Sequence, residues 1–296
     1  MTSDRVTWPE FLGVEPSERP RAVVLPVPFE ATTSYLEGTV DGPRAILEAS
    51  AQVELYDEEA GDEPWRAGVA TLPPVDVEGG PDEVLTRIAD AVANELEHGR
   101  FACSLGGEHT VTVGCVRGAA RHHPDLAVVS IDAHADLRDS YHGSPYSHAC
   151  AMRRVADDGH PVVEVGIRSL SATEAAALPG LNVVLVTGRD IDASRGNRGS
   201  EWIDRVLDAV ASKAVYLSVD LDGLDPSVVP GVGTPEPGGL LWFEALDLIA
   251  RLFERSNVVA ADVVELLPRA DDAVSSFAAA RLVYKILGHA LRKDPS

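Results

Sequence analysis

Short runs of β-branched and apolar residues recur along the chain: "AVVLPV" 22–27, "FACSL" 101–105, "LAVVSI" 126–131, "VVEVGI" 162–167, "NVVLV" 182–186, "AVYLSV" 214–219 and "NVVAADVV" 257–264. Most are apolar at nearly every position rather than at every second one, the pattern of strands buried on both faces in a parallel sheet. Between them lie segments with the helical period. In "PDEVLTRIADAVANELEHG", residues 81–99, Leu85, Ile88, Ala89, Val92 and Leu96 fall on one face. Pro81 stands near its start and Gly99 just past its end, as helices prefer. "EWIDRVLDAVASK", 201–213, places Ile203, Val206, Leu207 and Val210 in the same way, and "DGPRAILEAS" has Pro43 at an expected first helical position. This alternation predicts an α/β fold, one domain over residues 1–296, with a mostly parallel central sheet covered on both faces. No linker, repeat or low-complexity tract interrupts it, and the ends "MTSDR" and "RKDPS" are expected to fray.

Polar residues collect where the apolar runs end. The run 101–105 leads into "GGEH" with His109, and 126–131 into Asp132, His134 and Asp136. The run 214–219 leads into Asp220 and Asp222, and 257–264 into Glu265. Open α/β sheets bind ligands outside the carboxyl ends of their strands, so these residues are expected at one rim. The period of two in a strand would also point Asp132, His134 and Asp136 the same way. Four carboxylates gathered in a partly desolvated cleft repel one another and call for a cation. One divalent ion rarely needs six protein ligands. Two ions about 3.5–4 Å apart with bridging carboxylates would use His109, Asp132, His134, Asp136, Asp220 and Asp222 together. Mixed Asp and His without Cys favours Mn²⁺ over structural zinc, with Fe, Co and Ni left open. Such a pair generates hydroxide near neutral pH. Two divalent ions balance four carboxylates, and the hydroxide leaves the cluster negative, which suits a planar guanidinium that Glu265 would grip bidentately.

Composition narrows the ligand class. The net charge of −22 argues against nucleic acid and fits a small cationic substrate drawn in by the field. Hydrophobic content of 45% supports a large core, and mean hydropathy is near zero. No apolar run approaches the roughly 18 residues of a membrane span. "MTSDRVTWPE" has neither a basic n-region nor an apolar h-region, so a cytoplasmic location is expected. Cys103, Cys115 and Cys150 follow no disulfide or zinc spacing and read as small core residues.

The blocks "GGEHT", "DAHADLRD" and "SVDLDGLDP" resemble signature segments of the ureohydrolase (arginase/agmatinase) family. The likeness extends to "PFEATTSYLEGTVDGPRAILEAS" and to "GVGTPEPGGL" at 231–240, and so spans nearly the whole chain. The resemblance implies an arginase-like three-layer α/β sandwich, two Mn²⁺ per subunit, a homotrimer or homohexamer, and hydrolysis of a guanidino compound to urea and an amine. It implies His109 and Asp136 on the first manganese, His134 and Asp222 on the second, and Asp132 and Asp220 as bridges. Glu265 of "VVELLP" resembles the glutamate that holds the guanidinium, and Asp136 also takes a proton as the tetrahedral intermediate forms. His148 in "YSHAC" matches the histidine that shuttles a proton to the leaving amine; His142 in "YHGSP" is the competing candidate and reads as a loop or substrate-rim residue. Thr234 of "GVGTPE" is implied to touch the guanidinium region. The chain departs from the family pattern at Glu108, where Asp is common, at Thr110, where Ser is usual, and at Ala135, where a larger residue stands. Its loop "LRDSYHGSPYSHAC" lacks the Ser/Asn-rich segment with which arginases grip the amino-acid end of arginine. That points to agmatine, with putrescine as the amine product. Guanidinobutyrate, guanidinopropionate, arginine and formimidoylglutamate remain alternatives, for which Arg138, Arg153 and Arg168 are candidate carboxylate partners.

Overall fold

The computed structural model describes residues 7–195 and 200–292. The two ends expected to fray lie outside the described residues, apart from Arg292. In chain order the elements are β1 (Ala22–Val27), α1 (Gly42–Ser50), β2 (Val69–Thr71), α2 (Pro81–Glu97), β3 (Phe101–Gly106), α3 (Val111–Ala120), β4 (Ala127–Ile131), α4 (Ala151–Asp157), β5 (Val162–Ile167), α5 (Ala172–Ala177), β6 (Val183–Thr187), α6 (Gly188–Arg195), α7 (Glu201–Ala209), β7 (Ala214–Asp220), α8 (Trp242–Arg255), β8 (Asn257–Val264) and α9 (Ala273–Leu291). The eight strands form one sheet in the order β2-β1-β3-β8-β7-β4-β5-β6, and every neighbouring pair is parallel.

Alternate residues of each strand feed two separate cores, which makes the molecule three layers deep. Val24, Leu105, Val129, Leu217 and Ala261 pack with Ile46 and Leu47 of α1, Ile203 and Val206 of α7, Leu248 of α8 and Leu282 of α9. Val23, Ala102, Val128, Tyr216 and Ala260 face the other way, against Val84, Leu85 and Ile88 of α2, Val113 and Val116 of α3 and Met152 of α4. The near-continuous apolar runs follow from this two-sided burial. Cys103, Cys115 and Cys150 are buried free thiols in the same layers.

All seven expected strands form, each within one residue of its apolar run. The eighth, β2, is three residues long and too short to show a pattern. Helix α2 stops at Glu97, and Gly99 beyond it takes the left-handed φ of +71° that ends helices readily. Helix α7 is shorter than the segment 201–213, ending at Ala209. Pro43 is the second residue of α1, after Gly42, and still lies in the first turn where its missing N–H costs nothing. Strands β3, β8, β7 and β4 lie side by side at the centre of the sheet. Their carboxyl ends therefore form one rim, and all the clustered polar residues sit on it.

Candidate metal centre

The chain turns tightly at that rim. A Cβ on Gly107, just after β3, would lie 2.2 Å from the Phe29 carbonyl oxygen, and one on Gly223, after β7, would lie 2.6 Å from the Asp132 nitrogen. Only glycine lets these backbones pass so closely. His109 follows Gly107 in the turn before α3; its backbone N–H donates to Glu265 Oε1 at 2.7 Å, and the Glu265 N–H donates to the Gly107 carbonyl at 2.8 Å. Glu265 has φ +65° and Asp136 φ +47°, a left-handed backbone that costs a non-glycine residue about 1–2 kcal/mol. Strain of this kind concentrates at functional sites.

Asp132, His134 and Asp136 are brought together by a loop rather than by strand alternation, because β4 has already ended at Ile131. The loop folds so that Asp132 Oδ1 accepts the His134 N–H at 2.6 Å, and Asp136 turns back toward His109. His109 Nδ1 lies 3.0 Å from Asp136 Oδ2, 3.1 Å from Asp132 Oδ2 and 3.4 Å from Asp220 Oδ2. His134 Nδ1 lies 3.1 Å from Asp222 Oδ2 and 3.7 Å from Asp132 Oδ1. Asp220 Oδ1 accepts the Asp222 N–H at 2.9 Å, Asp222 Oδ1 accepts the Ala133 N–H at 3.1 Å, and Thr234 donates to Asp222 Oδ2 at 3.2 Å. All six expected ligands thus meet in one place. Their donor atoms fall into two groups able to hold an ion, His109–Asp132–Asp220 and Asp132–His134–Asp222, which share Asp132. Asp136 stands beside the first group through its contact with His109. The sharing of Asp220 between the two sides, expected from the sequence, does not show in these groups.

The electrostatics call for cations. Burial, then the charges of Asp222 and Asp132, push the Asp220 carboxyl well above the usual range, and burial and Asp132 raise Asp136. Burial and the charge of Glu108 raise Glu265. Burial would raise Asp132 too, but His109 and His134 outweigh it and hold that carboxyl low. Both histidines shift upward against burial, His134 to about 12, because aspartates surround them. Protons on the histidines are standing where cations would. Asp132 Oδ2 is also buried without a hydrogen-bond partner, since His109 is near it but not aligned. An aspartate common to two Asp/His groups, with one oxygen left orphaned, fits a pair of divalent ions.

Beside the centre lies a cavity of about 220 Å³ whose wall includes Asp136, Asp220, Asp222, Glu265, Thr234 and His148. The wall also contains Ser34, Tyr141, Leu170 and Glu174, which no spacing in the sequence singles out. His142 is exposed, has φ +47°, and stacks edge-on against Tyr141 outside the cavity wall. Of the three arginines considered as carboxylate partners, Arg138 reaches the cavity, over the Tyr141 ring and 3.9 Å from Glu174 Oε2. Arg153 is engaged with Asp157 and Asp139, and Arg168 donates to carbonyls of Asp222, Glu236 and Gly166.

The pattern of the Arginase family matches residues 20–288. The chain is 42% identical over 274 residues to the N(1)-aminopropylagmatine ureohydrolase of Synechocystis sp., covering 90% of this chain and 88% of that one. It is 36% identical over 269 residues to the agmatinase of Bacillus cereus, covering 87% and 88%. Among solved structures, the agmatine ureohydrolase of Thermoplasma volcanium superposes with a TM-score of 0.81 at 33% identity, covering 92% of this chain and 90% of that one.

Proposed function

The chain belongs to the arginase family and is an amidinohydrolase, and from that premise we propose that it hydrolyses the guanidino group of agmatine, or of an agmatine extended at N1, to urea and an amine. The observation that carries this reading is the pair of Asp/His groups sharing Asp132, with Glu265 on the wall of the same cavity. In this proposal His109, Asp132, His134, Asp136, Asp220 and Asp222 would together hold two Mn²⁺. Bound there, they would supply Lewis acidity and a water activated at neutral pH. Glu265 pairs with the guanidinium and orients its central carbon. Thr234, tied to Asp222, borders that end of the substrate. Asp136 takes up the proton released by the attacking water, and His148 delivers one to the departing amine. A net charge of −22 favours the approach of a cation.

The cavity loop offers no Ser/Asn-rich grip for an amino-acid end, which favours agmatine over arginine. A specific observation favours the N1-aminopropyl derivative as a second reading: identity is 42% to a ureohydrolase of that name and 36% to an agmatinase. The proposal extends to one domain, a homotrimer or homohexamer and a cytoplasmic location. No helix among the described residues is long and apolar enough to cross a membrane. Urea release by the Mn²⁺-loaded protein, offered agmatine, N1-aminopropylagmatine, arginine, guanidinobutyrate and formimidoylglutamate side by side, tests the reading. Preference for either of the first two supports it. Preference for a carboxylate-bearing substrate moves attention to Arg138, and silence on all five refutes it.

A further inference from the structure

Both ring nitrogens of His148 meet hydroxyls from one loop. Nδ1 is 3.2 Å from Thr32 Oγ1, and Nε2 is 3.3 Å from Ser34 Oγ. The hydrogen-bond capacity of Thr32 decides which nitrogen carries the proton. Its hydroxyl has one hydrogen and two lone pairs. The hydrogen goes to Glu108 Oε1 at 2.9 Å, a carboxylate oxygen that can only accept from it. One lone pair takes the His148 backbone N–H at 2.9 Å. The place left for Nδ1 is the second lone pair, which requires Nδ1 to be N–H. Neutral His148 then carries its lone pair on Nε2, and Ser34, whose hydroxyl can donate or accept, faces it.

The loop is itself tied down at two points. Glu108 is fully buried and accepts the Ala31 and Thr32 N–H groups at 2.7 and 2.6 Å and the Thr110 hydroxyl at 2.7 Å. Glu30 closes the loop on itself by accepting the Gly38 and Val40 N–H groups at 2.8 and 3.0 Å. The residues that depart from the family pattern at 108 and 110 thus form the anchor of Thr32.

We propose that Thr32, anchored by Glu108, is a positioning residue that fixes His148 as the Nδ1–H tautomer and so makes Nε2 the nitrogen that exchanges protons with the leaving amine. The assignment of the tautomer stands on the geometry, while its role in turnover rests on the proposed hydrolysis. Two measurements keep these apart. The first is the ¹⁵N spectrum of histidine-labelled protein saturated with diamagnetic Mg²⁺, with the His148 signals identified by their loss in His148→Asn. A pyrrole-type Nδ1 and a pyridine-type Nε2 are expected in the native protein. Thr32→Val should mix or invert them, and Thr32→Ser should restore them. The second is steady-state urea release. Thr32→Val should lower kcat about 10–100-fold with KM changed less than about twofold, the scale of losing an orienting partner, and Thr32→Ser should recover most of it. A native Nε2–H tautomer, or spectra and kcat unmoved in Thr32→Val, overturns the proposal. If no guanidino compound yields urea, the function fails, and the spectra still decide the tautomer.

Discussion

Asp132 is asked to do more than any other side chain in the site. It is common to both ion groups; one of its oxygens accepts the His134 N–H, and the other is buried and unpaired on the His109 side. Asp220 holds the other side of the same place, and its substitution separates metal binding from folding. Asp220→Ala leaves the Asp222 N–H without its acceptor, a cost of about 1–3 kcal/mol, but it also removes one of several mutually repelling carboxylates. The melting temperature should therefore hold within a few degrees. Metal content by elemental analysis should fall below two ions per chain, and urea release should be lost. Full activity with one ion would refute the two-metal reading. Glu265→Gln tests the opposite case: its amide oxygen can still accept the His109 N–H, so metal content should stay unchanged while kcat/KM drops about 10²–10³-fold, the scale of removing one group that stabilises reacting charge. The chemical types at these positions were legible because Asp and His recur at the ends of apolar runs. Their conformations were not. The positive φ values of Asp136 and Glu265 leave no mark on residue type, and the pointing of Asp132, His134 and Asp136 comes from a loop that strand periodicity does not describe.

The strands that carry these residues also hide a polar row. Ser104 of β3, Asp262 of β8, Ser218 of β7, Ser130 of β4 and Glu164 of β5 are paired in register across five adjacent strands, all buried. One polar residue per strand is easily lost in an apolar run, so the row appears only once the register is known. Its centre is well satisfied: Asp262 accepts from Ser218 and Tyr216 at 2.7 Å each, and Ser218 sits 3.2 Å from His109 Nε2. A proton on that nitrogen, donated to Ser218, leaves Nδ1 free to face the metal side. The β5 end of the row is not satisfied. Both Glu164 oxygens and the Ser130 hydroxyl lack partners, and burial, then the charges of Asp132 and Asp136, raise the Glu164 carboxyl well above its ordinary value. A raised folded-state value gives stability that is present below the unfolded value near 4.5 and is lost as pH rises toward the folded one. Glu164→Met should therefore stabilise the protein, with a gain that grows from pH 5 to pH 8 in thermal denaturation; a loss of stability at pH 8 would contradict this. Gly223→Ala should do the reverse. Its Cβ meets the Asp132 nitrogen at 2.6 Å, so the ends of β4 and β7 must part, at about 1–3 kcal/mol of overpacking and with loss of metal affinity.

At the scale of the whole molecule, a deficit of positive charge and a buried acidic centre act in the same direction, and the proposed metal centre is tested by comparing the protein with and without added ions. In the metal-free protein, Asp220, Asp136 and Glu265 have folded-state values raised by burial and by neighbouring carboxylates. Their stabilising contribution is present below the ordinary carboxylate value and falls as pH rises. His109 and His134 are raised by the aspartates, so their contribution is full below the unfolded value near 6.5 and declines above it. Asp132, held low, contributes a constant amount throughout the range from pH 5 to 8. Every changing group of the centre has the same sign, whereas His123 and His289, held low by burial, favour the folded state more as pH rises toward 6.5; the more numerous groups of the centre should prevail, so chelated protein should lose stability between pH 6.5 and 8. The loaded protein should behave oppositely with respect to its ligands, because binding needs deprotonated histidines and ionised carboxylates and strengthens as protons leave. Ions that bind only the folded state add about 2.7 kcal/mol when present at 100 times their dissociation constant. The difference in melting temperature between Mn²⁺-loaded and EDTA-treated protein should thus be small at pH 5 and widen toward pH 8, with urea release appearing over the same range. A difference that stays flat with pH would mean that the clustered Asp and His residues keep their protons in the loaded state, and that the ions are not held by them.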